Sequence, residues 1–228
     1  MFHVKQRSLQ TIPDLSADRA RALTLTPVSR ETLQRLDRFV ELLLTWQQRI
    51  NLISASTIPQ LWTRHIADSL QLIDLVPDAR IWIDVGSGGG FPGLVVACAI
   101  ADRPGAAVHL IESNLKKAAF LREAARAIDV PATVHGMRVE TFAKGLRGPL
   151  DVVSARAVSP LNALLNMCFP LLAKNGVTGL FPKGQNAALE LDEASKSWKM
   201  KVELAPSRTD PAARILVVRD LERGQVTS

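Results

Sequence analysis

One stretch constrains this chain more than any other: Ile81-Trp-Ile-Asp-Val-Gly-Ser-Gly-Gly-Gly-Phe-Pro-Gly93. Ile81 to Val85 is β-branched, aromatic and apolar, broken only by Asp84, as a parallel strand buried on both faces requires. Gly86 to Gly90 follow with almost no side chains, so the backbone can take positive φ and a ligand can approach it closely. Pro92 suits the first turn of a helix, which Leu94 to Ile100 continue as an apolar run. The order is strand, glycine turn, helix, and the unpaired N–H groups at the helix start point into the same crevice.

Two cofactor classes use this arrangement. Gly88, Gly90 and Gly93 match the G-x-G-x-x-G spacing of a dinucleotide fold. Asp84 with Gly86, Gly88 and Gly90 matches better the strand-end acid and G-x-G turn that hold S-adenosylmethionine. An acid there opposes a pyrophosphate and suits a ligand carrying an ammonium and a sulfonium, so Asp84 favours the second class.

The rest of the chain supports one α/β domain behind a helical segment. Ser16 to Leu23 and Ser29 to Gln48 read as helices, the second with Leu33, Leu36, Val40 and Leu43 on one face. Asn51-Leu-Ile-Ser54 breaks it, and Thr57 to Leu75 reads as a third helix. On that helix Arg64, His65, Asp68 and Ser69 share a polar side, which is either a local ion pair or the lining of a site. From residue 80 strands alternate with helices. Strands are expected at 81–85, 107–111, 132–135, 150–154, 177–181, 201–204 and 214–218, with helices at 115–128, 159–172 and 187–197. Such spacing gives a parallel sheet covered on both faces. The link from Ala205 to Ala213 is too short for a crossover helix, so the last strand should be antiparallel. Expected boundaries are residues 1–76 for the helical segment, 77–221 for the core and 222–228 for a frayed tail.

Ligands of open α/β sheets sit at the carboxyl ends of the strands. Those ends present Asp84 and the glycine turn, then Glu112, 22 residues past Gly90, where an acid accepts ribose hydroxyls. Met137-Arg-Val-Glu140 follows the third strand and could border an adenine. Ser154-Ala-Arg156 and Pro182-Lys-Gly184 put a cation at each of two strand ends, which suits an anionic substrate such as nucleic acid. The net charge of +6 permits such a partner without requiring it. Up to residue 50 there are eight basic residues (Lys5, Arg7, Arg19, Arg21, Arg30, Arg35, Arg38, Arg49) against five acids, a mild concentration where RNA could dock. No Pro-Pro-aromatic follows the fourth strand, which disfavours exocyclic-amine methylation, and no Pro-Cys dipeptide offers a nucleophile for cytosine C5. The two cysteines, Cys98 and Cys168, lie in apolar helical runs and form no ligand cluster, so no metal is expected. With no apolar signal segment at Met1 to Gln10 and no membrane-length run, a cytoplasmic protein without membrane contact is expected.

Asn51-Leu-Ile-Ser54, Arg64-His-Ile-Ala-Asp-Ser-Leu70, the 83–93 glycine turn with its Phe-Pro-Gly ending, Arg138-Val-Glu140, Ser154 with Arg156, and Leu180-Phe-Pro-Lys-Gly184 resemble the bacterial ribosomal RNA small subunit methyltransferase G family, also called glucose-inhibited division protein B. The resemblance spans about residues 28–220. It implies a class I S-adenosylmethionine-dependent methyltransferase fold, a Rossmann-like seven-stranded sheet with an N-terminal helical extension. The implied reaction is methylation of a guanine N7 in 16S rRNA, on free rRNA or the small ribosomal subunit, by a monomer. It implies cofactor contacts at Gly86, Phe91, Val139, Glu140 and Arg156, with Glu112 at the ribose position. Arg138, Lys183 and His65 are the expected substrate-binding residues. N7 carries its own lone pair, so no catalytic base is expected. A small-molecule methyltransferase, a non-catalytic RNA-binding assembly factor and an NAD-linked oxidoreductase are the competing readings.

Overall fold

The computed structural model describes residues 14–224, so Lys5 and Arg7, the segment Met1 to Gln10 and the last four residues of the expected tail lie outside the described residues. The sheet contains β1 (Ile81–Val85), β2 (Ala107–Ile111), β3 (Ala132–His135), β4 (Val152–Ala155), β5 (Thr178–Lys183), β6 (Trp198–Pro206) and β7 (Arg214–Arg223). Their order across it is 3-2-1-4-5-7-6. The first five run parallel, and β7 is antiparallel to both β5 and β6, as the short 205–213 link requires. The order reverses between β1 and β4, and the glycine turn opens at that crevice.

Alternation along each strand divides the core in two. Trp82, Val108, Leu110, Val152, Leu180 and Val217 point to one face. There they meet α1 (Ser16–Leu25), α2 (Arg30–Gln47), the 55–75 segment, α4 (Gly93–Ile100) and α5 (Leu115–Ile128). Ile83, Val85, Val153, Phe181, Leu216 and Val218 point to the other, covered by α6 (Val139–Gly145), α7 (Leu161–Leu172) and α8 (Ala187–Ser195). The apolar core thus runs without a break from the N-terminal helices into the sheet. Ser29 starts α2 by accepting the Thr32 N–H, and Leu36, Phe39, Val40 and Leu43 form its buried stripe. Asn114 caps α5 in the same way, accepting from the N–H groups of Lys116 and Lys117.

Where α2 ends, the Gln47 side chain holds the Asn51–Ser54 turn: its Oε1 accepts from the N–H groups of Leu52 and Ile53, and its Nε2 donates to the Ile53 carbonyl. That turn packs on the glycine turn so closely that a Cβ on Gly89 would stand 3.0 Å from the Leu52 carbonyl oxygen.

Several boundaries differ from expectation. The single helix expected over 57–75 is broken into a 3-10 turn (Ala55–Gln60), a π-helical stretch (Trp62–Ala67), α3 (Asp68–Leu70) and a second 3-10 turn (Ile73–Leu75). Asp18 of α1 anchors the π-helical start, accepting the Trp62 and Thr63 N–H groups and the Thr63 hydroxyl. β4 begins at Val152 and not at Leu150, because the Asp151 carboxylate turns to accept the N–H groups of Arg80 and Ile81. The short helix α6 was not foreseen. β7 keeps its pairing with β6 through Arg223, past the expected strand end at Val218.

Candidate functional site

The cleft at the ends of β1, β2, β4 and β5 contains two chambers. The smaller, about 190 Å3, is lined by Val85, Gly86, Ile111, Ser113, Met137, Arg138, Val139, Glu140, Val158 and Met167. The larger, about 590 Å3, lies between the π-helical stretch, the ends of β4 and β5 and the β6–β7 turn. Val158 borders both. It leans on the glycine turn, so that a Cβ on Gly86 would lie 2.7 Å from its Cγ2. Ala157 before it has φ 54°, the left-handed region.

Gly86 has φ 69° and lines the smaller chamber, so it meets both requirements for glycine, backbone angle and close approach. Gly88, at φ 53°, donates its N–H to Glu112 Oε2 at 2.9 Å. The other Glu112 oxygen accepts the Asn114 N–H at 2.7 Å. The β2 carboxylate therefore braces the glycine turn and keeps further lone pairs for a ligand. Gly90 serves packing: a Cβ there would lie 2.8 Å from Leu94 Cδ1 and 3.0 Å from Phe39 Cζ.

Asp84 stands near the end of β1 as expected, but its side chain does not face the cleft. It is fully buried beneath the turn. Oδ2 accepts the Gly93 N–H at 3.1 Å, and Oδ1 accepts the Ser154 hydroxyl at 2.8 Å, while Ser154 in turn accepts the Trp82 indole N–H. The expected direct pairing with a ligand's cationic groups is thus corrected: Asp84 ties β1, β4 and the start of α4 together. Burial pushes its pKa from 3.8 up to about 6, against the hydrogen bonds and the Arg156 charge that favour the anion.

Arg156, at the end of β4, lies at the join of the cleft with the helical layer. Nη1 donates to the Arg64 carbonyl at 2.9 Å and approaches Asp68 Oδ2 at 3.4 Å, and Nη2 donates to His65 Nδ1 at 2.7 Å. Its guanidinium carbon stands 5.2 Å from the Phe91 ring centroid. Burial lowers its pKa, and Asp68 opposes that shift. Phe91 is buried between Phe39, His65 and Arg156, so its ring is a platform under Arg156 and offers little surface to a ligand.

His65 and Asp68 line the larger chamber but do not pair with each other. His65 Nε2 meets Thr57 Oγ1 at 2.9 Å. Burial, then the charges of Arg156 and Arg64, push its pKa down to about 3, so the ring is neutral. Asp68 Oδ1 accepts from Gln71 and from the Thr209 hydroxyl, which joins the helical layer to the β6–β7 turn.

The expected substrate cations are redistributed. Lys183 lines the larger chamber but is ion-paired with Glu190 at 2.8 Å and donates to the Ser159 carbonyl, so its charge is already engaged. Arg138 precedes α6 and borders the smaller chamber and not the larger one that Lys183 and His65 line. Val139 and Glu140, expected at the cofactor, border the same chamber. In the basic N-terminal quarter Arg19, Arg35 and Arg38 are taken up by Asp37, Asp102 and Glu41. Arg64 was read only as part of a polar helix face. It borders the larger chamber, and its side chain has no hydrogen-bond or ion-pair partner among the described residues. Its spacing to His65 and Asp68 was the signal that could have singled it out.

The family model described as rRNA small subunit methyltransferase G matches residues 32–210. A Bradyrhizobium protein named ribosomal RNA small subunit methyltransferase G is 54% identical over 209 residues, covering 92% of this chain and 94% of its own length. A Rhodopseudomonas palustris protein of the same name is 50% identical over 225 residues, covering 98% and 96%. Among solved structures, an O-methyltransferase from Bacillus cereus in complex with SAH aligns with a TM-score of 0.58 at 14% identity, over 90% of this chain and 98% of that one. A mutant of MtNAS in complex with S-adenosylmethionine aligns at 0.53 and 15% identity, over 90% and 77%. At these identities the two structures speak for the fold alone.

Proposed function

The chain belongs to the ribosomal RNA small subunit methyltransferase G family, and on that premise we propose that its cleft holds S-adenosylmethionine beside a guanine of 16S rRNA and directs a methyl group to N7. The observation that carries this reading is the adjacency of the two chambers across Val158: one on the glycine turn, one open toward the β6–β7 turn.

The residues present suit that cofactor. Gly86 presents bare backbone to the smaller chamber, with Val158 packed where a Cβ would stand, and the Glu112 carboxylate stands at the end of β2 with lone pairs for two ribose hydroxyls. Met137 and Val139 give the smaller chamber an apolar border for a base, with Glu140 at its edge. When bound, the cofactor supplies a methyl group made electrophilic by its sulfonium.

The chain's own task is alignment. A guanine N7 is a nucleophile without losing a proton, so the rate rests on proximity and orientation and not on a base. His65 agrees with this, being neutral with both ring nitrogens engaged. Arg156 is held by the helical layer and lines the larger chamber; its charge beside N7 would oppose the positive charge the product ring gains, so we assign it to organising the site and not to direct contact with N7. Arg64, unpartnered at the rim, suits a phosphate of the target strand. The target base must be unstacked to enter, or lie in a loop already open.

Labelled S-adenosylmethionine with small subunits or 16S rRNA lacking the modification tests the proposal. The expected product is a single N7-methylguanine, mapped by strand scission at that base. Methyl on an exocyclic amine, or transfer confined to small molecules, overturns it.

A further inference from the structure

The π-helical stretch and α3 form a cradle around one guanidinium. Three acceptors converge on Arg156: the Arg64 carbonyl, His65 Nδ1 and Asp68 Oδ2. Guanidinium has five N–H donors. Three are taken here, and the remaining two, Nε–H among them, have no partner among the described residues at a chamber wall that Arg156 lines. His65 contributes the shortest of the three contacts. It is also the one member whose acceptor exists in one protonation state only, since an imidazolium would turn a donor N–H on a cation.

The ring is fixed from the other sides as well. Its Nε2 meets the Thr57 hydroxyl at 2.9 Å, and the ring packs on Phe91 at a tilt of 32° with centroids 4.9 Å apart. The charged groups that face it are Arg156 from the end of β4 and Arg64 on its own stretch, with Asp68 reaching it only through Arg156. A cation between two arginines would be repelled by both, so the surroundings select the neutral ring with the proton on Nε2.

We propose that His65 is a positioning residue: as a neutral acceptor at Nδ1 it holds the Arg156 guanidinium over Phe91 and turns that group's free edge into the cleft. The role in catalysis rests on the reading of the cleft given above; the geometry of the pair does not.

Two measurements separate these. On the free protein, nitrogen-15 spectra of histidine should show His65, identified by its loss in His65→Asn, with a bare Nδ1, a protonated Nε2 and no titration between about pH 5 and 8. In Arg156→Met its titration midpoint should rise, because a neighbouring cation is gone. A His65 that titrates near 6.5, or that carries its proton on Nδ1, overturns the proposal whatever the protein binds. The second measurement is cofactor affinity by calorimetry. Asn places an amide oxygen near the Nδ1 position, Gln near Nε2, and Phe keeps only the ring. His65→Asn should stay within about threefold of the parent, while His65→Gln and His65→Phe should lose about tenfold or more at an unchanged melting temperature. Equal losses in all three, or none, overturn the positioning role. No binding by the parent protein would instead sink the cofactor reading and leave the spectroscopic test standing.

Discussion

Asp84→Asn is the most demanding test of the site's architecture, because the geometry predicts a pH signature and not merely a loss. Asp84 is fully buried, and its pKa is raised from 3.8 to about 6. A displacement of roughly two pH units, at about 1.4 kcal/mol each, means that keeping the ionised group inside costs about 3 kcal/mol above the titration range. The folded chain holds this proton more tightly than the unfolded one. The cost is therefore absent below the unfolded value of 3.8, grows as pH rises through the window up to about 6, and is fully present beyond it. Asn has no such term. It keeps an acceptor for the Gly93 N–H but meets Ser154 with a donor, which costs about 1 kcal/mol at every pH. Urea unfolding of both proteins at about pH 4.5 and about pH 8 isolates the effect as a double difference. Other titrating groups, His65 included, are common to both chains and cancel. Relative stability should move in favour of Asn by about 2–3 kcal/mol between the two conditions. A difference that does not change with pH would refute the argument, and a change in favour of Asp at high pH would mean that the carboxylate is charged and solvated, as a ligand-facing residue would be.

The other expectations are narrower. Glu112→Ala should weaken S-adenosylmethionine by roughly 1.5–3 kcal/mol, measured by calorimetry on the folded variant, since charge-assisted hydrogen bonds are lost. Gly86→Ala forces a side chain into φ 69° and toward Val158, so stability should fall by about 1–2 kcal/mol and cofactor affinity by about tenfold or more. Lys183→Ala leaves Glu190 with the Leu161 N–H but without its counter-charge and should cost about 1–3 kcal/mol of stability while the salt dependence of RNA binding holds; Arg64→Ala should do the reverse, flattening that slope by about one charge. Single-turnover methyl transfer on saturated RNA should be flat from about pH 6 to 9, because His65, with its pKa pushed down to about 3, stays neutral there; a log-linear rise lost in His65→Asn would show a general base at work.

The framework of the fold could be read from local pattern, and the wiring of the site could not. Continuous apolar runs gave the strands, and the short 205–213 link gave the antiparallel closure. Asp84 was misplaced because a strand-end acid shows its ligand only through cross-strand register, and its partner Ser154 lies opposite it on β4, 70 residues away. For the same reason Lys183 read as a free cation: Glu190 is near in sequence, but only the turn from the end of β5 into α8 brings the two together. Residues 57–75 carry polar groups at helical spacing, which fixes the shared side but not the π-helical widening, and so shows that Arg64, His65 and Asp68 face one way without showing that Arg156 is what they face. Helix α6, seven residues long, is too short for its period to stand out.

Val158 has a thermodynamic meaning. The smaller chamber, at about 190 Å3, falls below the roughly 300–1,000 Å3 of a ligand cleft, and Val158, one of the side chains that line it, is also a wall of its neighbour. A ligand that displaces Val158 from the glycine side reshapes the other chamber as well. Linkage is symmetric: by whatever factor the first ligand changes affinity for the second, the second changes affinity for the first. To the extent that both ligands act on this one aliphatic side chain, the two occupancies form a single equilibrium, in which the departure of either ligand resets the binding constant of the other.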